Sequence, residues 1–176
     1  TGQYIEVTDN EPLGQNTQSF YGIWDNDSTV PQFTTDRSID LLQQSIEAQS
    51  GGFRFTSVQE IDWTGADPDR GWFIDLIFGT DNLGERQVAD ASFRNDLIIF
   101  STLIPSTDPC QPGGTGFLMQ LDAESGSAAG ESSVDTNNDG VIDSRDAPSG
   151  ELSEVGILSE SIILANPFGG DDIILT

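Results

Sequence analysis

The chain has 176 residues and a formal net charge of −24, from 30 acidic residues against six Arg, with neither Lys nor His. Without His, nucleophile systems of the Ser-His-Asp or Cys-His type and imidazole metal sites are excluded; without Lys, so are Schiff bases and phosphate-binding P-loops. The acidity also opposes binding to nucleic-acid backbones and to anionic membranes.

Charge of this size can signal disorder, but Leu, Ile, Val and Phe supply about a quarter of the residues, enough for collapse into a core. Ile is more frequent than Leu, which favours β structure. The single cysteine, Cys110, excludes an internal disulfide framework and a four-Cys zinc site. No apolar run reaches the length of a membrane span, and the residues after Thr1 show no signal-peptide pattern, as expected of a mature or excised piece.

In chain order, QYIEV (3–7) reads as a short strand, followed by a polar, turn-rich stretch and the aromatic strand of YGIWDNDS. The segment TTDRSIDLLQQSIEAQSGG predicts a helix over 36–49. Ile39, Leu42 and Ile46 recur at helical spacing, Asp36 serves as the N-cap, and Gly51 and Gly52 end it. Strands come next at FRFTSV (53–58), WFIDLIF (72–78), LIIFSTLI (97–104) and FLMQLD (117–122), then over 154–164 and 172–175. In WFIDLIF, Trp72, Ile74, Leu76 and Phe78 share one face. LIIFSTLI is nearly continuous in apolar residues, as expected of a strand covered on both sides. Turn clusters rich in Gly, Pro and Asp separate these runs, so the fold class is mainly β, in antiparallel sheets with one helix. The small-residue stretch AESGSAAGESS (123–133) reads as a flexible lead-in to an acidic segment.

That acidic segment is DTNNDGVIDSRD, residues 135–146. It fits the calcium-loop template with Asp135, Asn137 and Asp139 at positions 1, 3 and 5, Gly140 at 6, Val141 at 7 and Asp143 at 9. A hard dication needs six to eight oxygen ligands, and alternate side chains of a tight loop converge on one point. Glycine allows the reversal at position 6, and position 7 contributes only its carbonyl. Position 12 is Asp146, shorter than the usual Glu. The flanks lack the amphipathic helices of a calcium sensor, so this helix-less EF-hand-like loop is expected to hold structural Ca2+. Other acids carry weaker signals: Asp62, Asp67 and Asp69 around Trp63, Asp25 and Asp27 after Trp24, and the pair Asp171 and Asp172 all read as solvated turns. Trp24, Trp63 and Trp72 could line a carbohydrate platform, although buried packing is the default for indoles.

Several contiguous segments together resemble the C-terminal domain of the type IV pilus biogenesis factor PilY1 and its PilC relatives. They are RGWFIDL (70–76), GER (84–86), IIFSTLIPSTDPCQPGGTGFLMQLDAESG (98–126) and DTNNDGVID (135–143). YGIWDNDS and LLQQSIEAQ resemble the same family upstream, so the likeness spans most of residues 1–176, taken as a single domain, and is strongest over 70–143. It implies the terminal part of a modified β-propeller in a secreted adhesin that binds calcium and regulates pilus extension, retraction and attachment. The implied ligands are Asp135, Asn137, Asp139, the Val141 carbonyl and Asp143, with Asp146 outside that core pattern.

The implied partners are pilus components or copies of the chain itself, or a surface ligand such as a carbohydrate. Nucleic acid and membrane insertion are not expected, and the implied location is the bacterial surface. LMQLDAESG also resembles the blade ending of quinoprotein propellers. At the usual 40–45 residues per blade, however, the chain holds at most about four blades, too few to enclose a quinone. Either the chain is a fragment, or it is a short subunit whose open sheet edges need covering. In the second case QYIEV and DIILT would add strands between copies to build a filament. Dockerins also carry DxNxDG loops, but in pairs with adjoining helices, whereas a single loop is present here.

Overall fold

In a computed structural model the described residues are 16–25, 27, 36–106, 114–128, 130, 140–141 and 147–153, with the backbone of 162–164 and 173–175. Their elements are β1 (Ser19–Ile23), α1 (Arg37–Asp40), β2 (Leu42–Ser50), β3 (Phe53–Thr56), β4 (Gly71–Phe78), β5 (Arg86–Gln87), β6 (Ser92–Arg94), β7 (Leu97–Leu103), β8 (Gly116–Asp122) and β9 (Gly150–Ser153). Two further strands, β10 (Ile162–Leu164) and β11 (Ile173–Leu175), form an antiparallel pair.

The first nine strands join one sheet in the order β1-β4-β2-β3-β9-β8-β7-β5, with β6 also on β7. The pairing of β2 with β4 is parallel, and the other pairings among the described strands are antiparallel. Right-handed twist curls a sheet of this width. The curl is nearly complete, giving a barrel-like form. Phe20 on β1 stacks on Phe100 of β7, with ring centroids 4.1 Å apart and planes 5° from parallel, so distant parts of the sheet meet across the core.

That core is built by alternation. On β4, Trp72, Ile74 and Leu76 point inward, where they meet Ile46 of β2, Phe100 of β7, and Phe117, Met119 and Leu121 of β8. Each such side chain contributes about 1.5–3 kcal/mol when fully buried. Phe78, expected on the same face, is 37% exposed at the strand's end. The other face of β4 is covered as well: Phe73 lies beneath the Arg37 guanidinium, 4.1 Å from its ring centroid. Arg37 donates to both carboxylate oxygens of Asp75, at 2.8 and 2.9 Å, and so fastens α1 to the sheet. β7 is covered on both sides, as its sequence predicts, with Ile99 through Leu103 all buried.

The predicted helix over 36–49 requires correction. The helix comprises only Arg37–Asp40, and the nine residues from Leu42 form a strand. Asp36 does cap it, accepting from the Ser38 N–H at 3.0 Å, and the Ser38 hydroxyl and N–H hold its carboxyl below the ordinary value. The misreading has a physical cause. β2 turns Gln44 and Ile46 inward, and a polar residue in the first of these positions hides the alternation. Gln44 is fully buried because its amide is saturated. It donates to the carbonyls of Gln59 and Ser125, at 2.9 and 2.8 Å, and accepts from the Ser57 hydroxyl at 2.6 Å. Gly51 and Gly52 do not end a helix either. With φ of +60° and +85° they form the two-residue turn of the β2–β3 hairpin.

A second polar group within the sheet is Arg54, 1% exposed. Its guanidinium pairs with both oxygens of Glu85, at 2.7 and 2.8 Å, and stacks over Phe117 at 3.6 Å from the ring centroid. β9, which lies between β3 and β8, begins inside DAPSGE (146–151), one of the Gly-, Pro- and Asp-rich clusters that the sequence marks as turns.

Candidate functional site

Two places bear on function: the acidic segment between β8 and β9, and a tryptophan-lined cleft. Of the predicted calcium ligands, Asp135, Asn137, Asp139, Asp143 and Asp146 lie outside the described residues, as do Cys110 and the pair Asp171 and Asp172. Gly140 and Val141 are described. Gly140 has φ of +86°, the left-handed conformation that position 6 of the template requires, and Val141 is 53% exposed. Among the described residues no cluster of three or more His, Cys, Asp or Glu could hold a metal.

The residues that bracket the acidic segment are firmly held. Upstream, Ala128 is buried and bridges to Leu121. Downstream, Ala147 is buried and Ser149 fully so. The Ser149 N–H donates to the Arg54 carbonyl at 2.7 Å, and its carbonyl accepts from Gln120 at 2.8 Å. Its hydroxyl lies 2.6 Å from that of Thr56. Both ends therefore rest on β8, Ala128 at Leu121 and Ser149 at Gln120.

The minor acidic clusters serve local backbone. Asp62 accepts from the N–H groups of Thr64 and Gly65, at 3.0 and 2.8 Å, and its own N–H donates to Asp69 at 2.8 Å. Asp25 accepts from the N–H of Asp27 at 2.9 Å.

The fold gathers all three tryptophans into one place. Trp24 follows β1, Trp63 lies between β3 and β4, and Trp72 is on β4. With Ile23 and Glu124 they line a cleft of about 290 Å³. Trp72, 1% exposed, forms part of its floor, and its indole N–H donates to the Ala123 carbonyl at 3.0 Å. Gly22 and Gly126 lie against this indole, and a Cβ at either position would overlap it. Trp24 is 44% exposed and meets Trp63 edge to face, with centroids 5.3 Å apart and planes 78° apart. The Trp63 indole N–H donates to Glu124 at 2.9 Å. Buried packing thus describes Trp72 but not Trp24. Glu124 escapes a reading of the sequence because it sits in a small-residue stretch with no spacing signal.

The fold has a counterpart of known structure. The crystal structure of the Pseudomonas aeruginosa PilY1 C-terminal domain superposes with a TM-score of 0.75 over 99% of this chain and 38% of that one, at 22% identity. In sequence, a Xylella fastidiosa PilY1 homolog is 31% identical over 131 residues, 73% of this chain and 9% of the relative. Pseudomonas aeruginosa PilY1 is 25% identical over 162 residues, 82% of this chain and 14% of the relative.

The chain resembles the PilY1 C-terminal domain. It does so in fold and in sequence, and its curled sheet is consistent with the propeller-like architecture inferred for that domain. No protein-family model matches the sequence. The PilY1 relatives are named as type IV pilus biogenesis factors, and this chain spans only 9% and 14% of the lengths of the two compared. Among the described residues no helix is long and apolar enough to cross a membrane.

Proposed function

We propose that this chain is a calcium-binding, non-enzymatic element of a type IV pilus system, acting at the bacterial surface in pilus biogenesis and attachment, with residues 1–176 working as one unit. The observation that carries the reading is the likeness to PilY1 along nearly the whole chain. Pilus components are the expected partners. The non-enzymatic assignment draws support from a sequence with neither His nor Lys, and from relatives named for biogenesis rather than catalysis.

In this reading the ligands are Asp135, Asn137, Asp139, the Val141 carbonyl and Asp143, with Asp146 in the twelfth position. The left-handed Gly140 supports the assignment, as does a donor set made of hard oxygens. Bound calcium would draw mutually repelling carboxylates together and fix the segment between two buried ends.

Thermal melting across a calcium titration tests the site. Calcium at a hundred times its dissociation constant stabilises by about 2.7 kcal/mol, and Asp139→Ala abolishes the gain. A melting curve that EDTA leaves unmoved would falsify the assignment. For the pilus role, deleting the encoding gene in its own bacterium should reduce surface piliation, and unaltered piliation and attachment would refute it.

A further inference from the structure

We propose that the cleft formed by Trp24, Trp63 and Glu124 binds an organic monocation bearing a quaternary ammonium group. The inference is independent of the calcium segment and rests on the shape, lining and charge of the cleft.

The faces of an indole carry negative electrostatic potential, which attracts a cation within about 6 Å of the ring centroid. Trp24 and Trp63, with planes 78° apart, offer two such surfaces meeting near a right angle. A roughly spherical trimethylammonium group can touch both, whereas a flat ring can stack on only one. Glu124 adds a formal negative charge to the wall. Its bond to the Trp63 N–H, at 2.9 Å, fixes the orientation of that indole.

Among the described residues no arginine lines the cleft, and the chain carries a net charge of −24, so the long-range field also favours a cation. The volume of about 290 Å³ lies at the small end for ligand sites, suited to a head group rather than an extended molecule.

The lining also discriminates against sugars, which a row of tryptophans would otherwise suggest. A pyranose surrenders several hydroxyl–water bonds on binding and needs polar side chains to replace them. Among the described lining residues, Glu124 is the one acidic or amide side chain. Two of the three indole N–H groups are already engaged, by Glu124 and by the Ala123 carbonyl. Methyl groups on a charged nitrogen make no such demand. They gain from apolar walls while the charge gains from the rings and the carboxylate.

The test is a titration of the full chain with choline chloride, its neutral isostere 3,3-dimethylbutan-1-ol, and glucose, at constant ionic strength. Indole N–H resonances in nuclear magnetic resonance spectra provide the readout. Choline is expected to shift the Trp24 and Trp63 resonances saturably and more than that of Trp72, with the isostere binding roughly tenfold more weakly. Trp24→Ala and Glu124→Gln should each weaken choline binding roughly tenfold, and the surface location of both leaves the melting temperature nearly unchanged. Equal affinity for choline and isostere, saturable binding of glucose alone, or no saturation by choline would each overturn the proposal. Repeating the titration in EDTA separates this site from calcium, since choline binding should persist.

Discussion

Arg54 shows how a single residue can be both a liability and a fastening. Its guanidinium and the Glu85 carboxylate are almost wholly removed from water, at 1% and 4% side-chain exposure. Such a pair needs excellent geometry to recover its desolvation cost, and two bonds plus a stack on Phe117 supply it. Arg54→Met strands a buried carboxylate, so a loss of about 3–5 kcal/mol is expected in urea unfolding. The double variant Arg54→Met/Glu85→Leu should recover much of that loss. A single variant within 1 kcal/mol of the parent would show that water reaches the pair. Neither residue announces this role in the sequence, where one arginine among many acids looks like surface. Partnership across a sheet has no local spacing to read. Gln44 is hidden in the same way, and through it the whole of β2.

At the scale of elements, legibility depends on how apolar the inward positions are. β4, β7 and β8 place Trp, Ile, Leu, Phe and Met inward and are recognisable in the sequence, nearly to their ends. β2 mimics a helix because Leu42 and Ile46 continue a helical spacing from Ile39, while the strand alternation they also fit is hidden by the polar inward residue between them, Gln44. Ile39, central to that stripe, is 67% exposed. Gly51 and Gly52 carry a valid signal, since both demand positive φ, but a helix end and a hairpin turn make the same demand. The hairpin can be tested directly. Open space surrounds both glycines, so substitution there probes backbone strain alone. Gly52→Ala is expected to cost about 1–2 kcal/mol in thermal or denaturant unfolding. Gly51→Asn should be nearly neutral, since asparagine suits this turn. Equal costs at the two positions would contradict the assigned turn geometry.

For the molecule as a whole, the net charge of −24 works against compaction at every separation shorter than the screening length. The melting temperature should therefore climb as sodium chloride rises from about 0.01 to 1 M, over which the screening length falls from roughly 30 to 3 Å. At matched ionic strength, calcium bound as proposed should add a further rise that magnesium does not reproduce, because the larger ion accepts six to eight oxygens in irregular geometry. A melting temperature flat in sodium chloride would mean that the acids are already compensated within the fold. The acidic motif itself is legible at 135–146 because its chemistry is contiguous. The tryptophan cleft is not, because its walls come from three separate regions of the chain.

The placement of the acidic segment has a consequence for how such a domain can diversify. It leaves the sheet after β8 and returns into β9, and these strands are hydrogen-bonded neighbours. The two points of attachment are held close by pairing that owes nothing to the residues between them. Closing a connection between fixed ends grows harder only slowly with length, by about 0.6 kcal/mol per doubling. This junction is therefore a socket: longer, shorter or differently charged inserts can be exchanged there while Ala128, Ala147 and Ser149 keep their seats.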